Sequence, residues 1–72
     1  MAATKIRLDL ANQLRRLRKK HNLTQEQVAE RSGLDVRYYQ RIESRRPNAV
    51  KIDTLDGLAK AFKIKPSKLL DF

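Results

Sequence analysis

Between Leu23 and Ser44 the chain places helix-boundary signals so densely that they leave little freedom of fold. Thr24 is a hydroxyl cap, Gln27 three residues on completes a capping box, and Leu23 with Val28 forms a hydrophobic staple across the start. The helix so begun stops at Ser32-Gly33, where glycine accepts the left-handed conformation that closes a helix. Asp35 then caps a further helix, and Leu34 with Tyr39 repeats the staple. Two short helices over about residues 24–44, joined by a tight turn around Gly33, follow from these signals. The second, about residues 35–44, has one face of Val36, Arg37, Gln40, Arg41 and Ser44. Its opposite face, Tyr39 and Ile42, is apolar and belongs against the body of the domain.

The remaining sequence reads as scaffold for this pair. Leu10, Leu14 and Leu17 recur at i, i+4, i+7 with Ile6 one turn earlier, which predicts a first helix from about Asp9 or before to Lys20. Basic residues at its end complement the helix dipole. Arg45-Arg46-Pro47-Asn48 is a loop, since Pro47 and Asn48 resist helix continuation. A fourth helix, about Ile52 to Phe62, aligns Ile52, Leu55, Leu58, Ala59 and Phe62 on an inward stripe. A fifth runs from Pro66 to about Leu70, with proline where its missing N–H costs nothing, and Ile64 and Leu69 staple it. The expectation is an all-α fold of five short helices, one domain over residues 1–72.

Charge narrows the function. Seventeen Lys and Arg against eight Asp and Glu give a formal net charge of +9 and a sequence pI near 10.5. On a domain this small, that excess favours a polyanionic partner through phosphate contacts and counterion release. Without cysteine there is no disulfide framework and no cysteine metal site, so packed apolar helix faces must hold the fold. No apolar stretch approaches the roughly 18 residues of a membrane span, and no signal-peptide pattern starts the chain. A cytoplasmic protein is the expectation. On the face carrying Arg37, Gln40 and Arg41, guanidinium and amide groups stand at the pitch that reaches base edges in a DNA major groove.

These residues resemble the helix-turn-helix family of lambdoid phage repressors and Cro, including the small controller proteins of restriction–modification systems. With Gln25 as the first position of the motif, Ala29, Gly33 and Ile42 fall where the family uses a small residue, a glycine and an aliphatic. Leu14-Arg15-Arg16-Leu17-Arg18 is similar to the family's first helix, and Ile42-Glu43 to the end of its third. Asp53-Thr54-Leu55 followed by Leu58-Ala59 is similar to its fourth, and Leu69-Leu70 to its fifth. The likeness covers roughly residues 9 to 70.

The resemblance implies roles. Gln25 would hydrogen-bond a phosphate and brace the recognition helix. Val36, Arg37 and Arg41 sit where the family reads bases, with Gln40 close by. Arg18 and Glu43 hold the positions of an ion pair that ties the first helix to the end of the third. Arg45, Arg46 and Asn48 fall in a loop that contacts the backbone of the same half-site. The family's dimer contact would involve Leu69, Leu70 and Phe72, and these residues could equally close the monomer's own core. Two departures stand out. Arg45 occupies the position of the family's glycine, in a loop one residue longer, and Tyr39 stands where the family prefers valine or isoleucine. Its hydroxyl needs water or a partner.

Other residues have plainer readings. Val36 is either a partner for a thymine methyl or an ordinary exposed valine, and Gln40 faces either DNA or solvent. Tyr38 is partial core or a phosphate-bonding hydroxyl. Arg15, Arg16, Lys19 and Lys20 form a solvated face that supplies long-range attraction. His21, the only histidine, lies in a loop with no second ligand beside it. No nucleophile-base pair, glycine-rich phosphate loop or metal-ligand spacing is present, so neither enzyme nor cofactor is expected. The sequence therefore reads as a DNA-binding transcriptional regulator acting as a homodimer on an inverted repeat, with RNA polymerase as a possible further partner. The alternative from another class is an antitoxin-type module that neutralises a toxin and binds DNA secondarily. RNA binding is a third reading, opposed by the few aromatics.

Overall fold

In a computed structural model, residues 4–72 are described and form five helices: α1 (Lys5–Lys20), α2 (Gln25–Ser32), α3 (Val36–Ile42), α4 (Ile52–Ala61) and α5 (Pro66–Leu69). No strand occurs among the described residues. The caps read from the sequence are in place. The Thr24 hydroxyl accepts from the Gln27 backbone at 3.1 Å, and the Gln27 side chain accepts from the Thr24 N–H at 2.8 Å. Asp35 accepts from the Arg37 N–H at 2.8 Å. One cap lies outside the capped pair: Thr4 starts α1 by accepting from the Arg7 N–H at 3.4 Å.

Three helices end through a residue in the left-handed region, and only one of the three is glycine. Gly33 closes α2 at φ 70°, with the Leu34 N–H reaching back to the Ala29 carbonyl at 2.8 Å. Asn22 (φ 55°) after α1 and Lys63 (φ 58°) after α4 do the same, with Leu23 and Ile64 donating to Arg18 and Ala59. For a lysine this conformation carries a steric cost that glycine avoids. The other glycine, Gly57, has a packing reason. A Cβ there would stand 3.2 Å from the Ser32 carbonyl oxygen, so α4 approaches the end of α2 as closely as a bare backbone permits.

α2 lies at the centre, packed on both α3 and α4, while α5 bridges α4 and α1. The core is Leu10, Leu14, Leu23, Val28, Ala29, Tyr39, Ile42, Leu58, Ala59, Phe62 and Leu69. Burying each large apolar side chain contributes about 1.5–3 kcal/mol. Both staples hold: Leu23 and Val28 are buried, and Leu34 packs on the cluster that contains Tyr39.

Four expectations need correction here. Ile6 is 60% exposed and Ile52 81% exposed, so neither belongs to an inward stripe. Each lies in the first turn of its helix, where the apolar period continues but nothing packs over it. Ser44 lies beyond the end of α3, which stops at Ile42. Leu69 is fully buried within the chain and has no surface to give to a dimer contact, whereas Leu70 and Phe72 are exposed. α5 is a single turn, and packing it on α4 sends Leu69 inward and Leu70 outward.

Candidate nucleic-acid interface

α3 has seven residues, and its two sides are chemically distinct. Tyr39 and Ile42 are buried, and Glu43, the C-cap, is buried with them. Arg37, Gln40 and Arg41 are exposed. At about 100° per residue these three share an arc of roughly 100°, opposite the buried side. None of their side chains makes a hydrogen bond or ion pair among the described residues. Val36 is half-buried and packs against the core, so it sits on the flank of this face. Tyr38 is half-buried on the other flank, packed on the core and lining a shallow groove with Arg37 and Arg41.

Glu43 fixes the helix from beneath. Arg18 Nε donates to its Oε2 at 2.9 Å and Arg18 Nη2 to its Oε1 at 3.1 Å, a two-pronged pair between α1 and the end of α3. The Gln25 amide nitrogen donates to Oε1 at 3.3 Å. The Tyr39 hydroxyl donates to Oε2. Arg18 is itself held by a 3.3 Å bond from Nη1 to the Leu23 carbonyl. One carboxylate thus ties together α1, the N-terminus of α2, and α3. A buried ion pair is a poor source of net stability, but breaking it strands a charge, so it holds one geometry against others.

The titration behaviour follows from the contacts. Hydrogen bonding to Glu43 raises the Arg18 guanidinium above its ordinary value, against the opposing effect of burial. Burial pushes the Tyr39 phenol up, and donation to Glu43 pushes it further in the same direction. The carboxylate at the C-terminal end of α3 is therefore paired, Asp35 is engaged as the N-cap, and the outward arc of α3 presents two guanidinium groups and an amide.

The other candidate residues divide. Gln25 is half-buried with its amide nitrogen turned to Glu43. The Ser44 hydroxyl donates to the Arg41 carbonyl at 2.6 Å and accepts from the Arg46 N–H at 3.3 Å, so it shapes the turn leaving α3. Arg45 and Arg46 are exposed and Asn48 half-buried, with Pro47 buried between them as an anchor for the loop. His21 caps the end of α1, its ring tilted against Phe62 at 5.5 Å, and no group of metal-binding side chains occurs among the described residues. No helix of the described residues is long and apolar enough to cross a membrane. The Tyr39 and Gln25 bonds to Glu43 were missed by sequence reasoning. The four-residue spacing of Tyr39 and Glu43 was the available signal for the first.

Residues 14–69 match the family model described as Helix-turn-helix. The crystal structure of the restriction-modification controller protein C.AhdI from Aeromonas hydrophila is similar, at 35% identity and a TM-score of 0.82, covering 88% of this chain and 94% of that one. No curated protein matches the chain. Five helices in the expected order, a glycine-closed turn between α2 and α3, and both matches agree: the chain belongs to the XRE-type helix-turn-helix family, similar to small phage repressors and restriction–modification controller proteins.

Proposed function

We propose that this chain is a sequence-specific double-stranded DNA-binding transcriptional regulator that acts as a homodimer, with α3 in the major groove. The observation that carries the reading is the outward arc of Arg37, Gln40 and Arg41, without side-chain partners among the described residues, on a helix anchored from behind by Glu43. Arginine bidentate to guanine O6 and N7 is the commonest specific base contact, and two such groups one turn apart reach neighbouring base pairs. Arg45, Arg46 and Asn48 in the following loop, and Gln25 with the N-terminus of α2, supply contacts to the phosphate backbone. Regulation of genes is supported by the likeness to a restriction-modification controller protein.

Selectivity and surface both support the dimer in this reading. One helix reads only a few base pairs, and paired half-sites about one helical turn apart give the needed discrimination. Leu70 lines an open apolar groove with Ile6, Val50 and Leu55, and Phe72, two residues on, is exposed. Such a surface on a chain of net charge +9 suits self-association at a face with few charges. The role proposed is binding rather than catalysis.

Selection from a random duplex pool at physiological salt tests the reading. Enrichment of an inverted repeat is the expected outcome, with affinity falling steeply between about 50 and 200 mM salt. A pool with no enriched sequence, or binding flat in salt, overturns it. Replacing Leu70 and Phe72 with serine is expected to weaken self-association in sedimentation while helical content persists.

A further inference from the structure

A groove between α1 and α5, on the far side of α1 from the recognition helix, takes no part in the reading above. Its floor is Leu17 and Ile64, both half-buried and packed on the core. Three exposed cations, Arg16, Lys20 and Lys68, stand around that floor. Arg16 and Lys20 are one turn apart and lie roughly 160° around α1 from Arg18, the residue that faces α3. A ligand seated here leaves the arc of Arg37 and Arg41 open.

The cations are not accounted for within the chain. Asp71 is the one carboxylate of the groove, and it reaches Lys68 only at 3.9 Å, with each side chain 72% exposed. A pair so solvated and so long contributes little. Arg16 and Lys20 have no ion-pair partner among the described residues. Lys20 and Lys68 each lie in the last turn of their helices and complement those dipoles, whereas Arg16 lies a turn before the end of α1. Helix-end placement does not account for Arg16, nor for the meeting of cations from two helices around one apolar floor.

We propose that this groove docks an acidic peptide segment of a partner protein, with an aliphatic side chain on Leu17 and Ile64 and carboxylates on Arg16, Lys20 and Lys68. Charge complementarity sets the sign of the partner. The apolar floor favours a peptide over a phosphodiester backbone, which has nothing to lay on leucine and isoleucine. A second copy of this chain, with eight acidic residues against seventeen basic ones, offers this cation-ringed groove little complementary charge, unlike the apolar face at Leu70. Because the groove and the recognition arc lie on different sides, the protein holds the peptide and DNA together. The inference stands apart from the DNA-binding reading and does not depend on it.

The test is a titration of the isotope-labelled full chain with a short peptide of alternating glutamate and leucine, followed by amide chemical shifts. A lysine and leucine peptide serves as control. Shifts centred on Leu17, Lys20, Ile64 and Lys68 are expected, with Arg37 and Arg41 unmoved and no response to the control. The triple variant R16Q/K20Q/K68Q is expected to bind the acidic peptide roughly tenfold more weakly, from the loss of three exposed charges. Its circular dichroism should be unchanged, and the wild-type shift map stands as evidence even if the variant is unstable. Absence of binding, or shifts centred on Arg37 and Arg41, overturns the proposal. So does displacement of the peptide by a short duplex that perturbs Lys20 and Lys68 first, which would make the groove a phosphate-binding surface.

Discussion

On the inner side of α3, Tyr39 and Glu43 are buried and their polar atoms are consumed by Arg18, Gln25 and each other. On the outer side, Arg37, Gln40 and Arg41 are exposed, and their side chains make no hydrogen bond or ion pair among the described residues. Polar chemistry is thus spent on geometry behind the helix and left unspent in front of it. A seven-residue helix has too little intrinsic stability to hold a fixed orientation alone, since isolated helices need about 12–15 residues even in favourable sequences. The buried side supplies what length does not. Residues that set stability and residues that read a partner are therefore nearly disjoint, and substitutions on the two sides should behave differently.

The largest effect is expected at Glu43. Glu43→Ala strands the Arg18 guanidinium and leaves the Tyr39 hydroxyl and Gln25 amide unpaired, which should cost about 3–5 kcal/mol. Arg18→Ala should also destabilise, and the double variant should cost less than the sum of the two. Denaturant unfolding of the four proteins measures this, and full additivity would mean that the pair carries no coupling.

Tyr39→Phe keeps the ring and removes one donor to a buried carboxylate, a loss of about 1.5–3 kcal/mol. It should also change the alkaline limit of stability. The folded state holds the phenol well above the ordinary tyrosine range, so its contribution is complete below about pH 10 and is lost as pH rises beyond it. Wild type should lose stability more steeply than Tyr39→Phe over that range, as read by unfolding at successive pH values. Parallel curves would remove Tyr39 from the account.

The outer side should show the reverse behaviour. Arg37→Ala and Arg41→Ala should each leave unfolding within about 0.5 kcal/mol of wild type. Each should cost about 1–3 kcal/mol of DNA affinity and relax the preference at one base position. Affinities for the selected site and for every single-base change in one half-site decide this. Equal losses on all sequences would reduce both arginines to phosphate contacts and pass the readout to Gln40, Val36 or DNA shape.

Local chemistry was legible in the sequence where one residue type has one geometric use. The box of Thr24 and Gln27, the left-handed Gly33 and the Asp35 cap are of this kind, whereas the pair of Arg18 with Glu43 was legible only through the family resemblance. What failed needed knowledge of what lies opposite. Ile6 and Ile52 share the apolar period of their helices, yet periodicity cannot say that a first turn extends past its packing partner. Leu69 and Leu70 are both apolar near the end of the chain, and only the docking of α5 on α4 separates core from surface. Ser44 continues the spacing of the recognition face, but the helix ends two residues before it. The left-handed Lys63 was invisible because lysine has no preference for that conformation, whereas Asn22 carried the weaker signal of a residue that takes it after glycine.

Gln25 lies on the seam between the two sides and gives the smallest and sharpest prediction. It is half-buried at the first position of α2, and its amide nitrogen donates to Glu43 at 3.3 Å. That leaves its amide oxygen unused, while the α2 N-terminus beside it favours phosphate. Gln25→Ala should cost about 0.5–1.5 kcal/mol of stability, the range of an ordinary hydrogen bond, because this contact to Glu43 is long and only partly buried. DNA binding should weaken by similar factors on the selected site and on its single-base variants, because a backbone contact carries no base information. Gln25→Glu separates bracing from phosphate contact. It puts a second carboxylate beside Glu43 and close to the DNA backbone, so it should lower both stability and affinity beyond Gln25→Ala. Unfolding and binding measured on the same two variants decide the case. If affinity falls while stability is untouched, the bond to Glu43 is idle and Gln25 belongs wholly to the outer side. If stability falls and affinity is unchanged once the folded fraction is counted, Gln25 belongs to the buried anchor and the phosphate contact is lost from the account.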